Sequence, residues 1–337
     1  MSRNNRIKPT NSVSDAHVLL HNIPEKNYCP ELQANYSAAM ETVLPFFILL
    51  LIGLLLQYLQ VFPADTDKSL NLYVIYIALP ALILQQVPRL NFSENLATPF
   101  VMPWLVVIFS GALVLFLCRF MRWSRETTGC LLLMVPLGNT SFLGVPMVEQ
   151  FFGAAGVPYA ILYDQFGSFL ALSSYGTLIL AIYGSSGHPG LLAIIKKIIF
   201  FPPFLALVAA LYLHGSHYPH WLDSLLSMSA TSLIPVVMIA IGFQMRLLLP
   251  KDELLPLAAG LTLRLLVTPL VFLFACKLIG LSGPAVKVSL FETAMPPMVT
   301  AGALASIAGL KPRLSSAMTA YGILLAFVSL PFIYGLL

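Results

Sequence analysis

From Val43 onward the chain is a string of long apolar runs broken only by short polar loops. The runs cover 43–62, 70–88, 99–120, 128–152, 157–183, 191–213, 222–243, 254–279, 285–308 and 314–336, ten in all. At about 1.5 Å per residue, a helix of ~20 residues crosses a ~30 Å hydrocarbon core. Backbone polar groups meet no water at that depth, so each run must satisfy its own backbone as a helix. Charged residues make up only 9% of the 337, against roughly 25% in a soluble domain. Charge that sparse cannot cover a water-soluble surface of this size. The chain therefore reads as an all-α polytopic membrane protein with ten transmembrane helices. A cytosolic enzyme, a nucleic-acid binder and a disordered protein are excluded.

Residues 1–42 form a polar N-terminal tail with no apolar core and no visible signal peptide. Met40, which opens METVLPFFILLL, is an alternative initiator. The loops after odd-numbered runs carry ten Lys and Arg: Lys68, Arg119, Arg122, Arg125, Lys196, Lys197, Arg246, Lys251, Lys311 and Arg313. The opposite side carries four: Arg89, Lys277, Lys287 and, near the first run, Lys26. That asymmetry predicts odd loops in the cytoplasm and both termini outside it.

The two halves, 43–183 and 191–337, repeat at a constant offset. Pro80 in IALPAL answers to Pro235 in LIPVVM, 155 residues later. Phe166-Gly167-x-x-Leu170-Ala171 answers to Tyr321-Gly322-x-x-Leu325-Ala326 at the same offset. Five runs per half make the second copy enter the membrane from the other side, which predicts inverted repeats.

Runs 4 and 9 each contain a helix breaker at matched positions. PLGNTSFLGVP, 136–146, has Pro136, Gly138, Gly144 and Pro146 around Asn139, Thr140 and Ser141. Met295-Pro296-Pro297-Met298 interrupts run 9. Proline removes a backbone donor and glycine leaves helical geometry easily. Freed backbone at this depth is tolerated only against protein or around a hydrated cavity. Two crossing, broken helices thus form the candidate substrate site: Gly138, Asn139 and Thr140 facing Met295, Pro296 and Pro297. Half-helix N-termini suit an anion there, and C-termini with free carbonyls suit a cation. Packing kinks are the alternative.

Ionisable residues inside a membrane point to function by default. Glu292, one turn before the second break, is the first candidate for a coupling H⁺ or Na⁺; a backbone-capping role is the alternative. Asp164 is a second candidate, or accepts hydrogen bonds near the outer end of its helix. Arg264 either neutralises an anionic substrate or snorkels to the interface. His214, His217 and His220 in HGSHYPH read as a solvated loop, with no metal site. Cys118, Cys130 and Cys276 read as small buried hydrophobes. No cofactor and no catalytic residue are predicted: a nucleophile–base pair and an H-E-x-x-H are both missing.

GNTSFLGVPMVEQFFGAAG resembles the fourth-helix motif of the auxin efflux carrier family, which includes bacterial malate and malonate permeases and plant PIN transporters. LNLYVIYIALPALIL resembles its second helix and FETAMPPMVTAGALA its ninth. The resemblance implies a scaffold of helices 1, 2, 6 and 7 and a transport domain from the rest. It matches Asn139 to the family's crossover Asn and Pro146, Pro296 and Pro297 to its prolines. Only about seven residues separate runs 5 and 6, so the long loop of many plant members is missing and a short permease is implied. The expected function is secondary transport of a small organic anion such as a dicarboxylate. A cation/proton antiporter working through Asp164 is the alternative. The expected partners are the anion, the lipid bilayer and a second copy of the chain, with no nucleic acid.

Overall fold

The computed structural model describes residues 44–63, 65–89, 97–184, 192, 196, 199–216, 218–245 and 251–337. The polar tail, His217, Arg246 and the start of run 6 lie outside them. Among the described residues all regular structure is helical. The helices are α1 (Leu44–Tyr58), α2 (Thr66–Gln86), α3 (Ala97–Met121) and α4 (Arg125–Met134). Then follow α5 (Val145–Phe152), α6 (Val157–Tyr183), α7 (Pro202–Tyr212) and α8 (His220–Gln244). The last four are α9 (Leu254–Ile279), α10 (Pro284–Thr293), α11 (Val299–Ile307) and α12 (Pro312–Tyr334). Six of them, α2, α3, α6, α8, α9 and α12, are long and apolar enough to cross a membrane. The pairs α4/α5 and α10/α11 are the halves of runs 4 and 9.

The sequence explains why these helices suit lipid. α3 is apolar on every side: it buries Val106, Val107 and Val114 yet leaves Ile108, Phe116 and Phe120 exposed. A helix that is hydrophobic all round belongs in a bilayer or a large core. Cys118, Cys130 and Cys276 are free and buried.

Packing divides the helices into two groups. α2 lies against α7 and α8. α1 joins them by close backbone approach, Gly53 meeting Ile239 and Gly242 meeting Leu50. Small residues permit such contact where burial alone gives helices little reason to associate. Helices α3–α6 and α9–α12 pack mainly on one another. Hydrogen bonds follow the same division. Tyr73 to Ser232 and Tyr218 to the Leu84 carbonyl lie in the first group. Trp104 to the Phe166 carbonyl and Tyr175 to the Leu132 carbonyl lie in the second. Aromatic pairs bridge the groups: Phe169 stacks on Phe201 at 4.1 Å, and Phe47 meets Phe327 edge-on at 5.6 Å.

The described residues after runs 1, 7 and 9 share one face. Lys68, Gln244 and Ser306 line one cavity there, and Lys311 pairs with Glu253 at 2.9 Å. At the other ends of the helices, the Gly215 N–H bonds the Pro88 carbonyl and Lys277 reaches the Leu336 carbonyl.

Candidate functional site

Both predicted breaks are present, and they meet. Run 4 leaves the helix at 135–139 and run 9 at 294–298. The Asn139 N–H donates to the Pro296 carbonyl at 2.8 Å, and the Met298 N–H donates to the Leu137 carbonyl at 2.9 Å. Gly138 and Pro297 thus form an isolated antiparallel bridge. Each break supplies the partners that the other lost, which is how irregular backbone survives at membrane depth.

Pro136 lies inside the first unwound stretch, whereas Gly144 and Pro146 lie just past it. Residues Thr140–Gly144 form a π-turn that runs into α5, with Pro146 in its first turn. Proline is tolerated at a helix start, and the wider turn absorbs its missing donor. Two further π-turns, Asp164–Phe169 and Leu263–Val267, present Asp164 and Arg264. Single π-turns inside helices often mark functional positions.

Three side chains of the Asp, Glu, Lys and Arg type are buried among the described residues: Asp164, Arg264 and Glu292. Asp164, 1% exposed, sits within the bundle with its carboxylate saturated. Its Oδ1 accepts from Thr140 and Ser141, each at 2.5 Å, and its Oδ2 accepts from Gln165 at 2.7 Å. Arg264, also 1% exposed, does not snorkel. Its Nε donates to the Met295 carbonyl at 2.7 Å, and Nη1 donates to the Val135 and Pro136 carbonyls at 3.2 Å each. One side chain therefore caps both breaks. Gly138 leaves room for the guanidinium, because a Cβ there would collide with Nη2. Gly144 does the same for Glu292, whose carboxylate occupies the place of the missing Cβ.

Glu292 is fully buried, and neither of its oxygens has a hydrogen-bond partner. Asn139 accepts from the Phe142 N–H at 3.3 Å, while its Nδ2 has no partner. Gln165 Oε1 is also unpartnered. Buried orphans cost roughly 1–3 kcal/mol each, so a cluster of them asks for a ligand, a proton or water. Gln165 was not singled out in the sequence. Its one signal is an amide beside Asp164 in an otherwise apolar run.

The sequence as a whole matches the family described as "Membrane transport protein" over residues 38–334. The chain belongs to that family. Other transporters resemble it over most of its length. An "Uncharacterized transporter" of Methanothermobacter thermautotrophicus is 27% identical over 300 residues, covering 88% of this chain and 97% of the relative. Another, from Methanocaldococcus jannaschii, is 28% identical over 270 residues, covering 76% and 85%. A "Putative malonate transporter" of Rhizobium meliloti is 28% identical over 216 residues, covering 61% and 66%. The resemblance to the auxin efflux carrier family is thereby borne out, and the chain is a multi-pass membrane protein.

In this membrane transport protein a cavity of about 300 Å³ opens between the two helix groups. Lys68 and Gln244 line one wall, and Val299, Ser306, Thr319 and Ile323 line the other. Val299 is the first residue of α11, directly past the second break. The cavity reaches from Asp65, Asp67 and Lys68 to Val299, next to the second break.

Proposed function

We propose that this chain is a secondary transporter for a small organic anion, with a dicarboxylate as the preferred substrate class. The crossing carries the reading. An amide donor without a partner, Asn139 Nδ2, lies in the first break, and the sole buried cation among the described residues, Arg264, spans both breaks. A substrate carboxylate complements that donor and that charge. Thr140, Gly138, Met295, Pro296 and Pro297 complete the substrate site, and Glu292 with Asp164 forms the coupling site. Ten helices in two inverted repeats, 43–183 and 191–337, give the fold its two-sided access. α1, α2, α7 and α8 serve as the scaffold against which the remaining helices move, and the aromatic contacts between the groups suit sliding. Nothing in the site calls for an enzymatic step.

An exchange of cations at Asp164 is the weaker reading, since three donors already occupy that carboxylate. The malonate description of the Rhizobium relative supports a dicarboxylate. The deciding experiment is uptake of a labelled dicarboxylate panel into proteoliposomes, with and without imposed ion gradients. Accumulation of at least one member is expected; failure of all of them in every gradient overturns the reading. Orientation is tested separately. A cysteine placed at Ser186, which lies outside the described residues, is expected to label only from the cytoplasm, and labelling from outside reverses the topology.

A further inference from the structure

The carbonyls at the end of the first half-helix and at the second break converge on one side chain. Val135 and Pro136 close α4, Met295 lies in the break after α10, and all three oxygens accept from Arg264. Free carbonyls at half-helix C-termini are the ligands that a dehydrated Na⁺ takes in broken-helix carriers. Here a planar guanidinium holds them, with several donors in a fixed fork and a charge that is never given up. The cation is tethered to α9 and cannot leave.

The rest of the site's charge follows from hydrogen bonding. Asp164 receives three donors, which support its ionised form. Glu292 receives none, and its two oxygens lie against Gly144. A carboxylate buried without donors is poorly supported, whereas a carboxyl group carries its own. The charged and titratable groups that reach Glu292 are Asp164 and Tyr163 from α6 and Arg264 from α9. α3, α5 and α12 also pack against α10 and bring no charged group to it among the described residues. One cation facing two ionised carboxyls leaves the site negative, which repels an organic anion. A proton on Glu292 makes the three groups neutral together and supplies a donor.

We propose that Arg264 permanently fills the place where these carbonyls would otherwise hold a sodium ion, so that the carrier is sodium-independent and Glu292 takes up one proton with each substrate anion. The inference rests on the transporter reading for its substrate half only. The step is simple: the Glu292 carboxylate and a proton give the carboxyl as the anion enters, and the proton returns to water as the anion leaves.

The test uses the full chain, purified and in liposomes. The wild-type melting temperature is expected to be the same in sodium chloride as in choline chloride. A sodium-dependent rise overturns the tethered cation. Arg264→Ala frees the carbonyls, so its melting temperature is expected to become sodium-dependent, rising by a few degrees. Arg264→Lys, which keeps a cation in place, is expected to stay insensitive, and its becoming sodium-dependent counts against the proposal. At low pH, where the site takes up its proton without substrate, the infrared spectrum of the wild type is expected to show a protonated carboxyl that Glu292→Gln lacks and that fades as the pH rises; identical spectra overturn the assignment to Glu292. Between neutral and alkaline pH, where malonate itself stays doubly ionised, this probe for the anion is expected to bind at least about tenfold more tightly at the lower pH, and Glu292→Gln is expected to bind it with no pH dependence over that range. pH-dependent binding in that variant overturns the linkage. Should no dicarboxylate be bound or moved, the transporter reading fails, while the melting and infrared results still decide the roles of Arg264 and Glu292.

Discussion

The two helix breaks lie in runs 4 and 9 and meet each other, but they are built in opposite ways. The first is polar. Asn139, Thr140 and Ser141 follow the unwound stretch, and their side chains hold Phe142 and Asp164. The second has no polar side chain between Ala294 and Met298. Its carbonyls depend on outside help: Met295 on Arg264 and Pro296 on the Asn139 N–H. Glu292 lies one turn earlier with no donor at all. A similar backbone interruption therefore does not imply a similar task. The first break supplies side-chain chemistry, and the second supplies shape and a buried acid.

The largest test of that asymmetry removes the residue that both breaks share. Arg264→Leu leaves three buried carbonyls without a donor and Glu292 without a nearby cation. A loss of about 3–5 kcal/mol is expected, as when a buried charge loses its partner. Thermal unfolding in detergent checks it, and wild-type stability would show that the breaks do not lean on Arg264. Next come the glycines of the first break. Gly138→Ala drives a methyl into the guanidinium, and Gly144→Ala drives one into the Glu292 carboxyl. Each is expected to cost about 1–3 kcal/mol by overpacking, read in the same unfolding measurement.

A third comparison separates binding from shape. Asn139→Ala is expected to weaken substrate binding by roughly 1–3 kcal/mol, about tenfold or more. Met295→Leu conserves volume and is expected to change affinity far less. Equal losses in a binding titration would erase the distinction between the two breaks.

The smallest effect lies at the rim. Hydrogen bonding to Glu253 holds the Lys311 ammonium above its ordinary value of 10.5. The pair's stabilisation is fully present below that value and is lost as the pH rises through the raised one. Lys311 is 37% exposed, so solvent screening limits the pair to ~1 kcal/mol or less. Lys311→Met is expected to match the wild type within that margin at pH 7 and to differ even less in strong base, as melting curves at the two pH values show.

Much of this was legible because it is local. Apolar length determines which runs lie in lipid, and proline with glycine determines where a helix stops. Runs 4 and 9, Asn139 and Glu292 could be marked from the chain alone for that reason. Asp164 and Arg264 were visible as costly residues, but each had two open roles. Their tasks depend on partners in other helices. Asp164 meets Thr140 across 24 residues, and Arg264 meets Val135 across 129. The purpose of Gly138 and Gly144 was equally hidden, since the groups that fill the space beside them come from α9 and α10. Sequence by itself determined that the chain is an all-helical membrane protein, and it marked the two breaks and the shortage of charge between them. The tertiary structure alone decided that one arginine closes both breaks and that one of two buried acids is left without a donor. Hydrogen bonding acts over about 3 Å and needs a particular geometry, and only packing brings atoms that distant in the chain so close.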